Sequence, residues 1–319
     1  MSESRIYSGQ ILVLGLVQLI ETMAIALPLS YFPNYVVGLG ASVASVGVFT
    51  SSFMIAFAVL SPKMGGFVDK YGRKRVMMLG VASDVVLGTL TGLVPSWEWL
   101  LLIRLVNGAV SSGAMLASQT LLIDIVDPMR RGEASGFLQS MNMIGRNIGP
   151  LVGGSIQWAT MSSGFSLLMS YRIPYFVESA LALFALIIVA LKISEPEKKG
   201  PSMTGMRGGG AELKLRDYLT GPIKVLLVYT FVTGIGVGFI MPIMVLFYTD
   251  KFGTSSVGIG AIISVSGFVG LMASYVAGRL SDMFGRRPLI AIGNYSSRIL
   301  GFLLPLAPST VQAGVVMAL

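Results

Sequence analysis

The sequence predicts an all-α, multi-span membrane protein made of two pseudo-symmetric six-helix bundles, the second of them incomplete. Three observations carry that prediction. The 319 residues are 54% hydrophobic and 12% charged, with a mean hydropathy of +0.77, whereas soluble domains are about 25% charged. Apolar runs of about 20 residues, enough to cross a bilayer, recur along the chain. The sequence also repeats itself at an offset of 213: Gly40, Gly47, Gly65, Gly72, Gly80 and Gly88 fall on Gly253, Gly260, Gly278, Gly285, Gly293 and Gly301. Asp69 falls on Asp282, Arg73 on Arg286, Lys74 on Arg287, and Pro95-Ser96 on Pro308-Ser309. Duplication within an apolar chain is a common plan of secondary transporters.

The apolar runs read as spans at 10–37, 42–62, 76–94, 99–123, 134–157, 173–192, 221–248, 256–277 and 288–307, with a tenth beginning near Val311. The sixth is followed by a polar segment, 193–219, containing Glu195-Pro196-Glu197-Lys198-Lys199 and Gly208-Gly209-Gly210. Such a segment buries too little apolar surface to fold alone and reads as a connector. Within it, Leu213 to Tyr218 forms a short amphipathic stretch suited to the membrane surface. The predicted units are a first bundle at 1–192, a linker at 193–219, and a partial second bundle at 220–319, holding spans seven to nine and the start of ten. Adding 213 to the end of the first bundle, residue 192, puts the end of the second near 405. About three spans are therefore expected beyond this sequence, which reads as a fragment.

Charge placement sets the orientation. The net charge is +8, and 18 of the 23 Lys/Arg fall on one side if the N-terminus is cytoplasmic: Arg5, the 63–75 loop, Arg130-Arg131, 192–224, and the 279–287 loop. That is the positive-inside asymmetry. It accounts for the basic balance without a nucleic-acid partner and places the N-terminus and the 193–219 linker in the cytoplasm. Trp97 and Trp99 sit near an outer span end, as an interfacial belt requires. The first run contains Glu21 and lacks a convincing cleavage site, so it reads as a retained span. Both repeats start on the same side and are therefore parallel. Cysteine and histidine are absent, which excludes disulfides, thiol chemistry and the commonest metal ligands. No enzyme, cofactor or metal site is expected, only a monomeric multi-pass protein of the cell membrane, in contact with lipid.

The loop after span two reads Gly65-Gly66-Phe67-Val68-Asp69-Lys70-Tyr71-Gly72-Arg73-Lys74-Arg75, and its copy reads Gly278-Arg279-Leu280-Ser281-Asp282-Met283-Phe284-Gly285-Arg286-Arg287. Each sets an acid before a glycine turn and a basic cluster. Glycine supplies the positive φ such a turn can need, and the acid suits a helix cap or a nearby arginine. Two copies at one offset argue against a merely basic loop.

On these residues the sequence resembles the major facilitator superfamily, whose signature reads G-x-L-x-D-R-x-G-R-R; here Phe67 replaces leucine, and Lys70 or Met283 the first arginine. The resemblance implies that the loop stabilises one closed state of a transport cycle. It also implies that Arg73 pairs with Asp124 and that Asp69 faces a span-eleven helix. Span four carries Arg104-Leu105-Val106-Asn107-Gly108, similar to the family's R-x-x-Q-G, with Met317 at the repeat position. An arginine within an apolar run either faces a polar cavity or snorkels to the nearby outer end.

Span five carries Gly136, Gly145, Gly149, Pro150, Gly153 and Gly154 at the spacing G-x8-G-x3-G-P-x2-G-G, which resembles the pattern of proton-driven drug antiporters. Glycines four apart make a smooth stripe for close helix approach, and Pro150 favours a kink by crowding the carbonyl of Arg146. Ordinary small-residue packing is the plainer reading of the stripe alone. Arg146 suits either an anionic or amphiphilic substrate or an acidic structural partner.

The acids within spans are Glu21, Asp84 and Glu178. A carboxylate in a low-dielectric interior is costly to keep charged, which suits reversible proton binding. In the family the cavity is lined by spans one and four, so Glu21 is favoured as the proton or substrate carboxylate. Asp84, on a peripheral span, is favoured as structural, and Glu178 is read as an outer-leaflet partner of Arg172. The expected function is export of small amphiphilic or drug-like molecules by proton antiport with alternating access. Proton-coupled uptake of a metabolite or sugar, or a non-transporting receptor of the same fold, are the alternatives.

Overall fold

The computed structural model describes residues 9–195 and 221–318, and among them there are only helices and their connections. The amphipathic stretch 213–218 and the linker beyond Glu195 lie outside the described residues. Helix α1 (Gly9–Ala26) runs into a 3-10 turn (Leu27–Ser30) and then α2 (Phe32–Gly38). Pro28 and Pro33 stand in the first turns of those pieces, where a missing N–H costs nothing. The run 10–37, read as one uninterrupted span, is thus one crossing in three pieces.

Helices α3 (Val46–Tyr71), α4 (Arg73–Leu93), α5 (Trp97–Ile125), α6 (Arg131–Ser162) and α7 (Leu167–Lys192) complete the first half. The second half contains α8 (Gly221–Phe252), α9 (Ser256–Phe284), α10 (Arg286–Leu303) and α11 (Thr310–Ala318). Six segments among the described residues are long and apolar enough to cross a membrane: Gly9–Ser30, Val43–Tyr71, α4, α5, α7 and α9. The glycine-rich α6 is longer, at 32 residues, but does not reach that apolarity. The predicted loops after spans two and eight are shorter than expected. Asp69 and Asp282 still lie within α3 and α9, and only Gly72 and Gly285 leave helical geometry.

The duplication is visible in the backbone. Among the described residues five glycines have positive φ, and four of them form pairs 213 residues apart: Gly40 (97°) with Gly253 (60°), and Gly72 (94°) with Gly285 (86°). An L side chain avoids that region, so glycine is required there. Helices α5 and α11 likewise begin at positions related by the same offset, Trp97 and Thr310.

One end of the bundle, called here the basic face, carries the α3–α4, α5–α6 and α9–α10 connections. Near it lies a core of α1, α3, α4, α5, α6 and α7 side chains including Ile11, Val68, Val76, Leu121 and Ile193. A second core, at the opposite face, is built around Tyr31, Tyr35, Phe49, Leu100 and Tyr175 and takes in Leu246 of α8. There the two halves are also tied by Asn34, whose Nδ2 donates to Thr249 Oγ1 at 3.0 Å. Toward the basic face, residues 272–280 of α9 are exposed. The described contacts between halves therefore run from mid-membrane to the opposite face.

Candidate functional site

Helix α5 supplies the axis of the site. Arg104, Asn107, Ser111 and Ser118 recur at spacings of three, four and seven residues, which aligns them along one face. Asn107 Nδ2 donates to Asp84 Oδ1 at 3.2 Å, and Ser111 Oγ donates to Asn107 Oδ1 at 3.2 Å. Ser118 Oγ donates to Gln18 Oε1 on α1 at 3.4 Å. Glu21, one turn beyond Gln18, has Asp84 as its charged neighbour. The stripe thus links the acids of α1 and α4. Asn107, part of the span-four motif, holds Asp84.

Arg104 turns inward rather than snorkelling. Its guanidinium lies 4.3 Å from the centre of the Phe32 ring, a cation–π distance, and its Nε is buried. Asp84 and Arg104 are therefore brought into one polar region with Glu21. Arg146 is not: it is exposed on α6, and no ion pair or hydrogen bond to it is found among the described residues. Glu178 also departs from its expected pairing with Arg172. Arg172 Nη2 donates to the Val94 carbonyl at 2.7 Å, whereas the charges facing Glu178 are Arg104 and then Asp84. Proximity in sequence had suggested the wrong arginine. Helix rotation brings Glu178 into the bundle, and its spacing three residues from Tyr175 was the available signal.

Helix α6 is packed on two sides. Methyl carbons added at Gly149 and Gly153 would lie 2.6 Å from the Met23 carbonyl oxygen and the Leu27 carbonyl carbon, and one at Gly145 would meet Thr22 and the Leu19 carbonyl. This face is fitted to α1 and the turn that follows it. The other is fitted to α9: Gly154 meets the Ser256 backbone, Gly260 meets the Pro150 carbonyl, and Gly267 meets the Asn147 side chain. The stripe is therefore shared between a contact within one half and a contact between halves. Helix α6 continues unbroken through Pro150, while Gly136 meets nothing within 4 Å.

At the basic face, Arg73 joins two helices. Its Nε donates to Asp124 Oδ2 at 2.9 Å, and its Nη2 lies 3.3 Å from Asp69 Oδ1. The pairing with Asp124 implied by the family resemblance is present. A group missed in the sequence completes the corner. Glu195 Oε1 accepts from the Arg73 backbone N–H at 2.6 Å, and Oε2 accepts from that of Lys74 at 2.8 Å. Lys74 Nζ donates to the Ala190 carbonyl at 2.8 Å. The carboxylate satisfies two orphan donors at the positive end of α4. Residue 195 had been assigned to the linker, but it is docked on the loop. In the second copy Gly65 and Lys74 correspond to Gly278 and Arg287, and Gly278 and Asp282 are exposed at the end of α9.

Residues 14–319 match the model of the Major Facilitator Superfamily. The chain belongs to that superfamily. It is 26% identical over 295 residues to Multidrug resistance protein 1 of Bacillus subtilis (strain 168), covering 92% of this chain and 72% of that protein. It is 30% identical over 306 residues to the multi-drug resistance efflux pump PmrA homolog of Lactococcus lactis subsp. lactis (strain IL1403), covering 91% and 70%. Among solved structures, it superposes on a bacterial homolog of the human lysosomal transporter Spinster, in an inward-facing and occupied conformation. The TM-score is 0.78 at 19% identity, over 99% of this chain and 71% of that one. The major facilitator fold read from the duplicated loops is thus the fold of this chain, with part of a second bundle present.

Proposed function

We propose that this chain is a secondary transporter that exports small amphiphilic or drug-like molecules by proton antiport, with its basic face in the cytoplasm. The observation that carries this reading is α6, whose Gly145, Gly149, Gly153 and Gly154 are wedged between the α1 segment, the helix of Glu21 with the turn after it, and α9 of the other half. A smooth helix in that position can serve as the pivot on which two halves rock. The multidrug efflux pumps among its relatives support the same direction. With the halves joined at the opposite face, the site around Glu21 and Asp84 opens toward the cytoplasm. Substrate enters there, the halves rock about α6, and a proton taken from outside by Glu21 weakens substrate binding and releases it. Loss of that proton to the cytoplasm resets the cycle. Arg73, Asp124 and Asp69, with Asp282 and Arg286 in the second copy, bias the switch.

The test is transport by the chain in proteoliposomes, with ethidium as the amphiphilic probe and an imposed pH gradient. One pH unit is worth about 1.4 kcal/mol per proton, enough for roughly tenfold accumulation when one proton is exchanged for one ethidium cation, an electroneutral step. Ethidium movement opposite to protons is expected in the native chain and is lost in Glu21→Gln. Gradient-driven movement that survives Glu21→Gln removes that residue from the mechanism. Movement in the same direction as protons selects the uptake reading instead.

A further inference from the structure

The first half contains more buried ionisable groups than one proton site requires. Glu178 lies about 16 Å along α7 from Leu167, near the middle of a crossing. Its carboxyl carbon is 3.8 Å from where a side chain on Gly88 of α4 would begin, so the acid sits over bare helix backbone. Its Oε2 is buried, with no hydrogen-bond partner among the described residues. The same holds for Arg104 Nε, the Tyr31 and Tyr175 hydroxyls, and Ser30 Oγ. Tyr31 is 0% and Tyr175 1% exposed, and their rings meet edge to face at 5.9 Å.

The surroundings of Glu178 are as follows. From α5 comes Arg104; from α4, Asp84; from the turn after α1, Tyr31. Its own helix adds Tyr175, which also faces Arg104 and Tyr35 of α2. Tyr35 is committed to the Thr91 carbonyl, to which its hydroxyl donates at 2.6 Å. Helix α6 meets α7 about two turns away, where the neutral Gln157 donates to Ser170 at 2.8 Å. Arg104 is thus the cation facing Glu178, yet no ion pair within 4 Å joins them among the described residues, and Arg104 rests on Phe32 instead. A buried charge without a close partner is costly. Asp84 has a hydrogen bond from Asn107, and Glu178 has none among the described residues.

We propose that Glu178 is a second proton-carrying carboxylate of the first half, with Arg104 as its exchangeable counter-ion. When Glu178 holds a proton, Arg104 lies against Phe32, as here. When the proton leaves, Arg104 swings from the ring and pairs with the carboxylate, and Tyr31 and Tyr175 complete its hydrogen bonds. The step moves one proton and breaks no other bond. It couples protonation to the α5–α7 contact and to the Arg104–Asn107–Asp84 stripe leading toward Glu21. The proposal rests on the antiport reading above.

The decisive experiment is infrared difference spectroscopy of the purified chain, titrated with pH, with transport measured in parallel. A carbonyl-stretch band of a protonated carboxylic acid is expected to titrate in the native chain. One component should vanish in Glu178→Gln, persist at a shifted position in Glu178→Asp, and move its titration midpoint upward in Arg104→Gln. The midpoint rises because removing the cation disfavours the ionised acid. A merely structural Glu178 would change melting temperature but not this band. An unchanged spectrum in Glu178→Gln, or a component that ignores Arg104→Gln, overturns the proposal. Should ethidium movement prove indifferent to the pH gradient, the antiport reading fails, while the infrared titration still decides whether Glu178 binds a proton.

Discussion

Gly154→Ala tests whether α6 is a pivot. A methyl carbon at Gly154 would lie 2.7 Å from the Ser256 carbonyl carbon and 3.0 Å from Val257 Cα. Carbon atoms pack at about 3.5–4.0 Å, so α6 and α9 must separate by about 1 Å. Overpacking of this kind costs about 1–3 kcal/mol. The contact joins two halves, so the cost falls on the state in which they are packed here, not on either half. At about 2 kcal/mol, and about 1.4 kcal/mol per tenfold, the balance shifts roughly thirtyfold toward the alternative packing. Gly153→Ala meets backbone equally closely, but that backbone, Leu27 of the turn after α1, belongs to the same half. Its cost therefore appears as lost stability in every state. The absence of native cysteine makes the assay direct. Asn34→Cys places a thiol at the opposite-face contact with Thr249, where alkylation reports separation. Gly154→Ala is expected to speed alkylation at least tenfold with little change in melting temperature. Gly153→Ala should lower melting temperature and leave the alkylation rate nearly unchanged. Identical behaviour of the two variants would refute the division of α6 into an inner and an inter-half face.

Two further predictions concern the basic face. The Arg73–Asp124 pair is partly exposed, at 13% and 33% of the side chains, so a double-mutant cycle with Arg73→Ala and Asp124→Ala should give a coupling of only about 1 kcal/mol, reduced by salt; additive losses of thermal stability would count against it. Glu195→Ala should remove a helix cap worth about 1 kcal/mol, accelerating amide hydrogen exchange at Arg73 and Lys74 about fivefold. Unchanged protection at those amides would mean that the carboxylate does not hold them.

The sequence disclosed features that depend on backbone chirality and on lipid. The duplication survives as paired left-handed glycines because no L side chain accommodates those turns, and the spans follow from the length of an apolar run. The Arg73–Asp124 pair was accessible because a family motif carried it. Other features depend on how helices are rotated against one another, which local spacing does not state. Glu178 was assigned to Arg172, six residues away, when the relevant arginine stands on α5. Arg146 had the composition of a site residue and is exposed on α6, with no ion pair or hydrogen bond among the described residues. Glu195 looked like linker because its neighbours are polar, while its role is set by two amides on another helix. The break at Leu27–Ser30 was signalled by Pro28 and Pro33, but hydrophobicity alone ran straight through it.

The distribution of the cores has a consequence for synthesis. Among the described residues the basic-face core runs from Ile11 to Ile193, at the very start of the linker, and only Leu246 of the opposite-face core follows it. The first half can therefore consolidate while the ribosome is still making the connector. At about 5–20 residues per second, the stretch from Ile193 to Gly221 occupies roughly one to five seconds. Helices α8 and α9 then arrive at a preformed surface, with the glycine face of α6 already set against α1. Assembly order would make the first half the template on which the second is laid.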